Sequence, residues 1–306
     1  MNETPSGPQS EGNGRSENTL PALSVVMPAY NEENGIQPVL EDLDRELQKA
    51  GVDAEIIVVD DGSADATAQK AAAVSGRITV LRHAENRGYG ASLKTGFRRA
   101  KHDLVAIIDA DGTYKPKDLI RLLGKAKGQD MVVGARTGQT VHIPLVRRPA
   151  KWLLRSLATY LTKRKIPDLN SGLRLMRRDL VHKYMGLFPD GFSLTTTITM
   201  ALLVAGYEVK FIPIDYEKRT GSSKIRPLRD TIGFLSLIMR TIIYFNPLRI
   251  FVPMSLLLIL SGGLVGLLSY LYLPKILDTT TALLVLTGVQ VGVLGLLADL
   301  VVRRGT

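Results

Sequence analysis

From Leu23 to Arg136, short runs of aliphatic and β-branched residues alternate with stretches in which apolar side chains recur every three or four positions. The first kind predicts strands at Leu23–Met27, Glu55–Asp60, Ile78–Arg82, Leu104–Asp109 and Met131–Gly134. The second predicts helices at Ile36–Ala50, Asp65–Val74, Gly90–Ala100 and Lys117–Lys127, with Pro116 in a first turn and Gly51 and Gly128 just past helix ends. This order predicts an α/β unit around a mostly parallel sheet, whose working groups gather beyond the carboxyl ends of the strands. Leu173–Met176 and Val209–Ile214 read as two added strands.

Further along, the alternation gives way to two uncharged runs, 24 residues over Ile250–Leu273 and 20 over Thr279–Ala298. A helix rising about 1.5 Å per residue crosses a hydrocarbon layer of about 30 Å in either run. The pair therefore predicts a membrane hairpin, with spans at about 250–273 and 279–302 within residues 250–306. Arg240 and Arg249 precede the first span, and Arg303 and Arg304 follow the second. That bias places both ends and the bulk of the chain in the cytoplasm. Residues 227–249, apolar around most of a helix yet carrying Arg229 and Arg240, read as an interfacial amphipathic helix. Lys151–Lys165 reads either as another interfacial helix or as one docked on the surface of the α/β unit. The first 20 residues, rich in Ser, Gly, Asn, Glu and Pro, read as a disordered tail without the apolar core of a secretory signal. The α/β unit then occupies residues 21–226.

Charge sharpens this picture. The chain of 306 residues carries a formal net charge of +10, and the segment Arg136–Arg178 holds eleven basic residues against one acid, Asp168. A basic surface leading into a membrane hairpin points to anionic head groups or phosphate ligands rather than to nucleic acid. With no cysteine, disulfide, zinc-thiolate, iron–sulfur and cysteine-nucleophile chemistry are excluded.

Three acidic signatures end successive strands: Pro28-Ala29-Tyr30-Asn31-Glu32, Val58-Val59-Asp60-Asp61-Gly62-Ser63 and Ile108-Asp109-Ala110-Asp111-Gly112. Two carboxylates one residue apart, Asp109 and Asp111, suit a hard divalent cation that also binds diphosphate oxygens. Arg136, Arg219 and Lys224 are cations able to hold the same phosphates. Other phosphate-binding schemes fail. The chain has no G-x-x-x-x-G-K-[ST], and Leu93 replaces the third glycine after Gly88-Tyr89-Gly90. His83, His102, His142 and His182 do not cluster at metal-ligand spacing and read as surface or structural residues. Asp168, the lone acid of the basic segment, is a candidate for orienting an acceptor and equally for a structural salt bridge.

Taken together with Asn86-Arg87-Gly88-Tyr89-Gly90, Gly134-Ala135-Arg136 and Arg219-Thr220-Gly221-Ser222-Ser223-Lys224, these motifs resemble a family 2 glycosyltransferase of the GT-A fold. More narrowly they are similar to the polyprenyl-phosphate glycosyltransferases, the dolichol-phosphate mannose synthase group, in the branch with a two-helix membrane hairpin. The resemblance implies that Pro28, Tyr30, Glu32 and Asp61 hold the nucleoside and that Ala110 lines its cleft. It further implies that Asp109 and Asp111 bind Mg²⁺ or Mn²⁺, and that Arg136, Arg219 and Lys224 neutralise the donor diphosphate and the acceptor phosphate. Asp111 and Asp168 are the candidates for catalysis. One departure is Thr113, which stands where mannose synthases of the group often carry a glutamine.

The expected reaction moves a hexose from UDP or GDP to dolichyl or undecaprenyl phosphate, with inversion, at an inner, cytoplasmic or endoplasmic-reticulum-type membrane. The expected partners are thus the nucleotide sugar, the polyprenyl phosphate and the membrane, with no nucleic acid and with a homo-oligomer left open. Two rivals are a processive polysaccharide synthase, which should show a Q-x-x-R-W motif and more spans, and a membrane-bound nucleotide-sugar-binding protein without turnover.

Overall fold

The computed structural model describes residues 20–137, 162–191, 193–216, 246–272 and 278–304, with isolated positions at 156, 159, 160, 239, 243 and 244. The expected tail, most of the helices expected over Lys151–Lys165 and Leu228–Phe245, and both Arg219 and Lys224 lie outside these residues.

Seven strands form one sheet: β1 (Leu23–Ala29), β2 (Ala54–Asp60), β3 (Ile78–Arg82), β4 (Leu104–Ile107), β5 (Met131–Arg136), β6 (Arg174–Arg177) and β7 (Val209–Ile214). Their spatial order is β3-β2-β1-β4-β6-β5-β7. All neighbours are parallel except β6, which runs antiparallel to both β4 and β5. The sheet is therefore mostly parallel, as the sequence predicts.

Helices α1 (Ile36–Lys49), α2 (Thr67–Ala72), α3 (Tyr89–Arg99) and α4 (Pro116–Leu123) match the expected segments within a few residues at each end. Two more, α5 (Arg178–Tyr184) and α6 (Leu194–Val204), were not evident in the sequence. The reason lies in α6 itself. Ten of its residues, Leu194–Leu203, are buried on every side, so LTTTITMALLV shows no polar face to mark a helical period.

Period-two alternation in the strands builds two cores. On one face Val25 and Met27 of β1 and Ile56 and Val58 of β2 meet Leu40, Leu43 and Leu47 of α1 and Leu119 and Leu122 of α4. On the other face Val26, Ile57 and Val59 meet Leu93 and Phe97 of α3 and Leu180, Ile198 and Leu202 from α5 and α6. Each fully buried aliphatic or aromatic side chain contributes about 1.5–3 kcal/mol. The result is a three-layer sandwich, with helices on both faces of one sheet.

Two long helices complete the chain, α7 (Leu248–Tyr272) and α8 (Asp278–Arg304). Helix α7 starts two residues before the expected Ile250, because the carbonyls of Asn246 and Pro247 already accept the amides of Arg249, Ile250 and Phe251. The two helices pack antiparallel through small residues. A Cβ on Gly288 would meet Ile259, one on Gly292 would meet Ser255, and one on Gly295 would meet Phe251. Ser255 Oγ donates to the Gly288 carbonyl at 2.7 Å. A third, small apolar cluster of Ile166, Met200 and Leu203 receives Leu169 and also Ile250, and so joins the foot of α7 to the α/β unit.

Close approach also governs α3 on the sheet, where a Cβ at Gly96 would lie 2.3 Å from Val26 Cγ1. Gly96→Leu should therefore destabilise the protein by about 1–3 kcal/mol through overpacking. The exposed Gly76, with nothing within 4 Å, should accept alanine nearly without effect. Thermal midpoints of the two variants in detergent check the contrast, and equal midpoints would refute the packing assignment.

Candidate active site

The site forms at the carboxyl edge of β1, β2, β4 and β5. Because β6 is antiparallel, its entering segment Asp168–Leu173 arrives at that same edge. Five chain segments thus converge there.

The turns after β1 and β2 are stitched together by backbone amides. Asn31 N donates to Ser63 Oγ at 2.9 Å, Glu32 N to Thr67 Oγ1 at 2.9 Å, and Ala64 N to Asn31 Oδ1 at 3.0 Å. Asn31 itself sits at φ 54°, a left-handed conformation that asparagine tolerates. Gly62 is required on two counts, φ +73° and a Cβ that would lie 2.7 Å from the Glu85 backbone. Pro28 is buried, while Tyr30 is 37% exposed and faces the open edge.

Asp61 is 3% exposed and its carboxylate is largely committed to the protein. Oδ1 pairs with His83 Nδ1 at 2.7 Å and accepts Arg87 N at 3.0 Å, and Oδ2 accepts Gly88 N at 2.8 Å. His83 in turn reaches Thr95 Oγ1 at 2.9 Å, so the histidine is structural, as expected. Asp61 thereby fixes the Asn86–Gly90 segment that starts α3. The first amides of that helix, Gly90 N and Ala91 N, both donate to the Asp190 carbonyl, and Lys94 pairs with the Asp190 carboxylate at 2.5 Å.

Strand β4 ends at Ile107 rather than at the expected Asp109, since pairing with β6 stops at Ile107 opposite Arg174. The next residues leave the ladder and present Asp109 and Asp111 beyond it. Tyr89 Oη donates to Asp109 Oδ1 at 2.9 Å. Burial, and then the charge of Asp109, raise the Tyr89 phenol well above 10, so it remains a donor. The other oxygen of Asp109 faces the backbone of Gly172, where a Cβ would lie 2.2 Å away. Gly172 N donates to Tyr114 Oη at 2.7 Å, which holds that glycine in place. Asp111 Oδ1 accepts Thr113 Oγ1 at 2.6 Å and Thr113 N at 3.1 Å. Thr113, 2% exposed, thus orients a carboxylate where the related pattern has a glutamine. Ala110 is buried between the two acids.

This donor set suits a hard cation. Among the described residues no group of three or more His, Cys, Asp or Glu could hold a metal. Two carboxylates that leave most of the coordination sphere to water and ligand phosphates are what Mg²⁺ and similar ions use in phosphate-binding sites.

On the opposite side stands Arg136, at the end of β5. Its Nε and one terminal nitrogen grip Asp168 Oδ2 at 2.7 Å and Oδ1 at 2.9 Å, and its backbone amide adds a third bond at 3.1 Å. Asp168 Oδ1 also accepts Asn170 N at 3.1 Å. Burial alone would raise the Asp168 carboxyl, but the hydrogen bonds and charge of Arg136 prevail and hold it at about 2. The guanidinium lies 5.2 Å from the Tyr216 ring centroid, and Tyr216 meets Tyr114 edge to face at 5.3 Å. Arg136 thus reaches the site on a braced stem, with 22% of its side chain exposed.

Sequence reasoning did not single out Arg174, which is fully buried. It donates to the Ser171 carbonyl at 3.1 Å, the Thr195 carbonyl at 2.8 Å and Thr199 Oγ1 at 2.9 Å. It ties the segment before β6 to the start of α6. Burial lowers its guanidinium to about 10, which leaves it charged at neutral pH. The signal was a lone arginine inside the apolar strand Leu173–Met176, since a charged residue is fully buried only when something holds it.

The ion pair gives a prediction. Asp168→Asn leaves Arg136 without its counter-charge and should cost about 3–5 kcal/mol at pH 7 in chemical denaturation. A carboxyl depressed from 3.8 to about 2 stabilises the fold above the higher value and loses that contribution as pH falls through the lower one. The wild-type protein should therefore lose about 2 kcal/mol between pH 4 and pH 2 that the variant does not lose. Identical acid profiles would refute the pairing.

Known proteins resemble this chain in sequence and in fold. The model of the glycosyl transferase family 2 matches residues 24–185, and that of the GtrB C-terminal hairpin matches residues 246–303. A dolichyl-phosphate hexose transferase of Haloferax volcanii is 32% identical over 213 residues, 69% of this chain and 90% of its own. A dolichol-phosphate mannosyltransferase of Pyrococcus furiosus is 30% identical over 215 residues, 67% of this chain and 59% of its own. Among solved structures, glucosyl-3-phosphoglycerate synthase from Mycobacterium tuberculosis, crystallised with Mn²⁺, UDP-glucose and phosphoglyceric acid, superposes with a TM-score of 0.57. It shares 21% identity across 72% of this chain and 80% of its own, a likeness of fold. With its α/β unit on the GT-A plan and a family match over more than half its length, the chain belongs to glycosyl transferase family 2.

Proposed function

We propose that the chain transfers a hexose from UDP or GDP to a polyprenyl phosphate, dolichyl or undecaprenyl, giving a β-linked polyprenyl-phosphate sugar at the cytoplasmic face of a membrane. The observation that carries this reading is the gathering of two groups at one sheet edge, the Asp109–Asp111 pair beyond β4 and the braced Arg136 at the end of β5, in a chain with an apolar helical hairpin. The names of the two archaeal relatives support the acceptor class.

In this reading residues 21–226 are the catalytic domain, residues 227–249 lie at the membrane surface, and residues 250–306 form the hairpin. Pro28, Tyr30 and Glu32 hold the nucleoside beside Ala110. Asp61 acts through the Asn86–Gly90 segment that it fixes. Asp109 and Asp111 would hold a divalent cation, Mg²⁺ or Mn²⁺, which would supply positive charge to the leaving diphosphate. Arg136 adds charge from the other side, and Arg219 and Lys224 bind the donor diphosphate and the acceptor phosphate. A phosphomonoester, with its second pKa near 6, is mostly a dianion at neutral pH and attacks without a general base. Its oxygen forms the new bond to the anomeric carbon while the carbon–oxygen bond to the diphosphate breaks, and the electron pair leaves with the nucleoside diphosphate. Asp168, whose oxygens are engaged by Arg136 and Asn170, is then a positioning residue for Arg136 rather than a nucleophile.

Membranes containing the protein, incubated with radiolabelled UDP- and GDP-sugars and polyprenyl phosphate, test the assignment. Asp111→Ala should lower transfer by at least about 10²-fold, in the range seen when a preorganised charge-stabilising group is removed. Its thermal midpoint should barely move, since a loop carboxylate contributes little to the core. Transfer by this variant at the wild-type rate in the presence of chelator would overturn the metal-site reading.

Single displacement also fixes the stereochemistry. An α-linked donor should give a β-linked product, read from the anomeric proton coupling or, for mannose, from the one-bond carbon–proton coupling. An α-linked product would rule out in-line attack by the acceptor.

A further inference from the structure

Helix α8 meets α7 along one side through Gly288, Gly292 and Gly295. Its other side carries Leu283, Thr287, Gln290, Leu294, Leu297 and Val301, all exposed. These positions are spaced alternately by four and three residues, the spacing of a heptad seam between two helices. Five are apolar or bear a hydroxyl that a helix can satisfy from its own backbone. Gln290 is the exception.

The candidate span runs Asp278–Val302, so Gln290 stands twelve residues from either end. At a rise of about 1.5 Å per residue its amide lies about 18 Å from both ends of the span, at the middle of the hydrocarbon. Among the described residues no hydrogen bond reaches that amide. Leaving a primary amide unsatisfied in hydrocarbon is unfavourable, and Gln side chains at this depth characteristically bond across helices. Helix α7 shows the contrast, since its own midpoint is Leu260, 70% exposed and apolar.

Whatever covers this seam must be apolar above and below and offer both a donor and an acceptor at mid-depth. Acyl tails and isoprenoid chains offer neither group, and a lipid phosphate sits about 18 Å away. A second α8 satisfies every condition at once. A glutamine amide carries one acceptor oxygen and two donor hydrogens, so two of them facing across a two-fold axis form a reciprocal pair. One polar residue in an otherwise apolar seam also fixes register, because any slip leaves both amides unpaired.

We propose that two copies of this chain associate through α8, with Gln290 of each copy hydrogen-bonded to Gln290 of the other. The proposal rests on the membrane insertion of the hairpin put forward above and is independent of the sugar donor.

The chain contains no cysteine, so single thiols report this contact without background. Leu294→Cys places one on the seam and leaves Gln290 in place, and Leu256→Cys places one at the same depth on α7. In phosphatidylcholine–phosphatidylglycerol vesicles, copper-phenanthroline oxidation should give the Leu294→Cys protein a disulfide-linked dimer in at least about five-fold higher yield than Leu256→Cys, since only the first lies at a specific contact. In single-molecule photobleaching on dilute vesicles, Gln290→Leu should self-associate about tenfold more weakly, and Gln290→Asn should retain association. Absence of the 294–294 disulfide, equal yields at 294 and 256, or unchanged association of Gln290→Leu would each overturn the pairing. Alkaline carbonate extraction separates the two levels. Release of the chain would overturn the membrane reading and the pairing with it, whereas failure to cross-link in a carbonate-resistant pellet would overturn the pairing alone.

Discussion

One reversed strand sets the geometry of this protein. In a wholly parallel sheet the segment leading into a strand lies at the edge opposite the exits. Here β6 is antiparallel between β4 and β5, so Asp168–Leu173 enters beside the residues leaving β4 and β5. The two sides of the site depend on that placement. Gly172 meets Asp109 on one side, and Asp168 grips Arg136 on the other. A short strand of four residues thereby couples the acidic half to the basic half.

Around the charged groups, neutral donors and backbone amides do the orienting. Tyr89 holds Asp109, Thr113 holds Asp111, and the amides of Arg87 and Gly88 hold Asp61. Each bond is to a carboxyl oxygen. A neutral donor fixes a carboxylate without adding a positive charge of its own. The basic half follows another rule, because Arg136 shares its charge with Asp168 and gains rigidity in return. Arg174 supplies an unshared positive charge in the interior, held by carbonyl and hydroxyl oxygens.

Much of this was legible in the sequence. Strands with period-two alternation or continuous β-branched runs were found within a few residues, and the acidic motifs were rightly read as lying at strand ends. What escaped had physical causes. Helix α6 is buried all round and shows no amphipathic period, and α5 is too short to show one. The partners of the Asp61, Thr113 and Arg174 side chains come from up to 27, 2 and 25 residues away, and no periodicity reports such side-chain bonds. Asp168 illustrates the limit. Its isolation among cations was visible, but only the antiparallel entry of β6 shows that Arg136, 32 residues away, claims both its oxygens.

The small cluster of Ile166, Met200 and Leu203, with Ile250 packed against it, bears on how the enzyme meets a lipid. Ile250 belongs to the first long apolar helix, and Leu169, in the same cluster, adjoins Asp168. The α/β unit thus meets the foot of the hairpin through packed apolar side chains. An inserted hairpin would then confine the encounter with a lipid-borne acceptor to two dimensions. In that setting the quantity that saturates the enzyme is the mole fraction of acceptor in the bilayer, and diluting the vesicles in buffer leaves it unchanged.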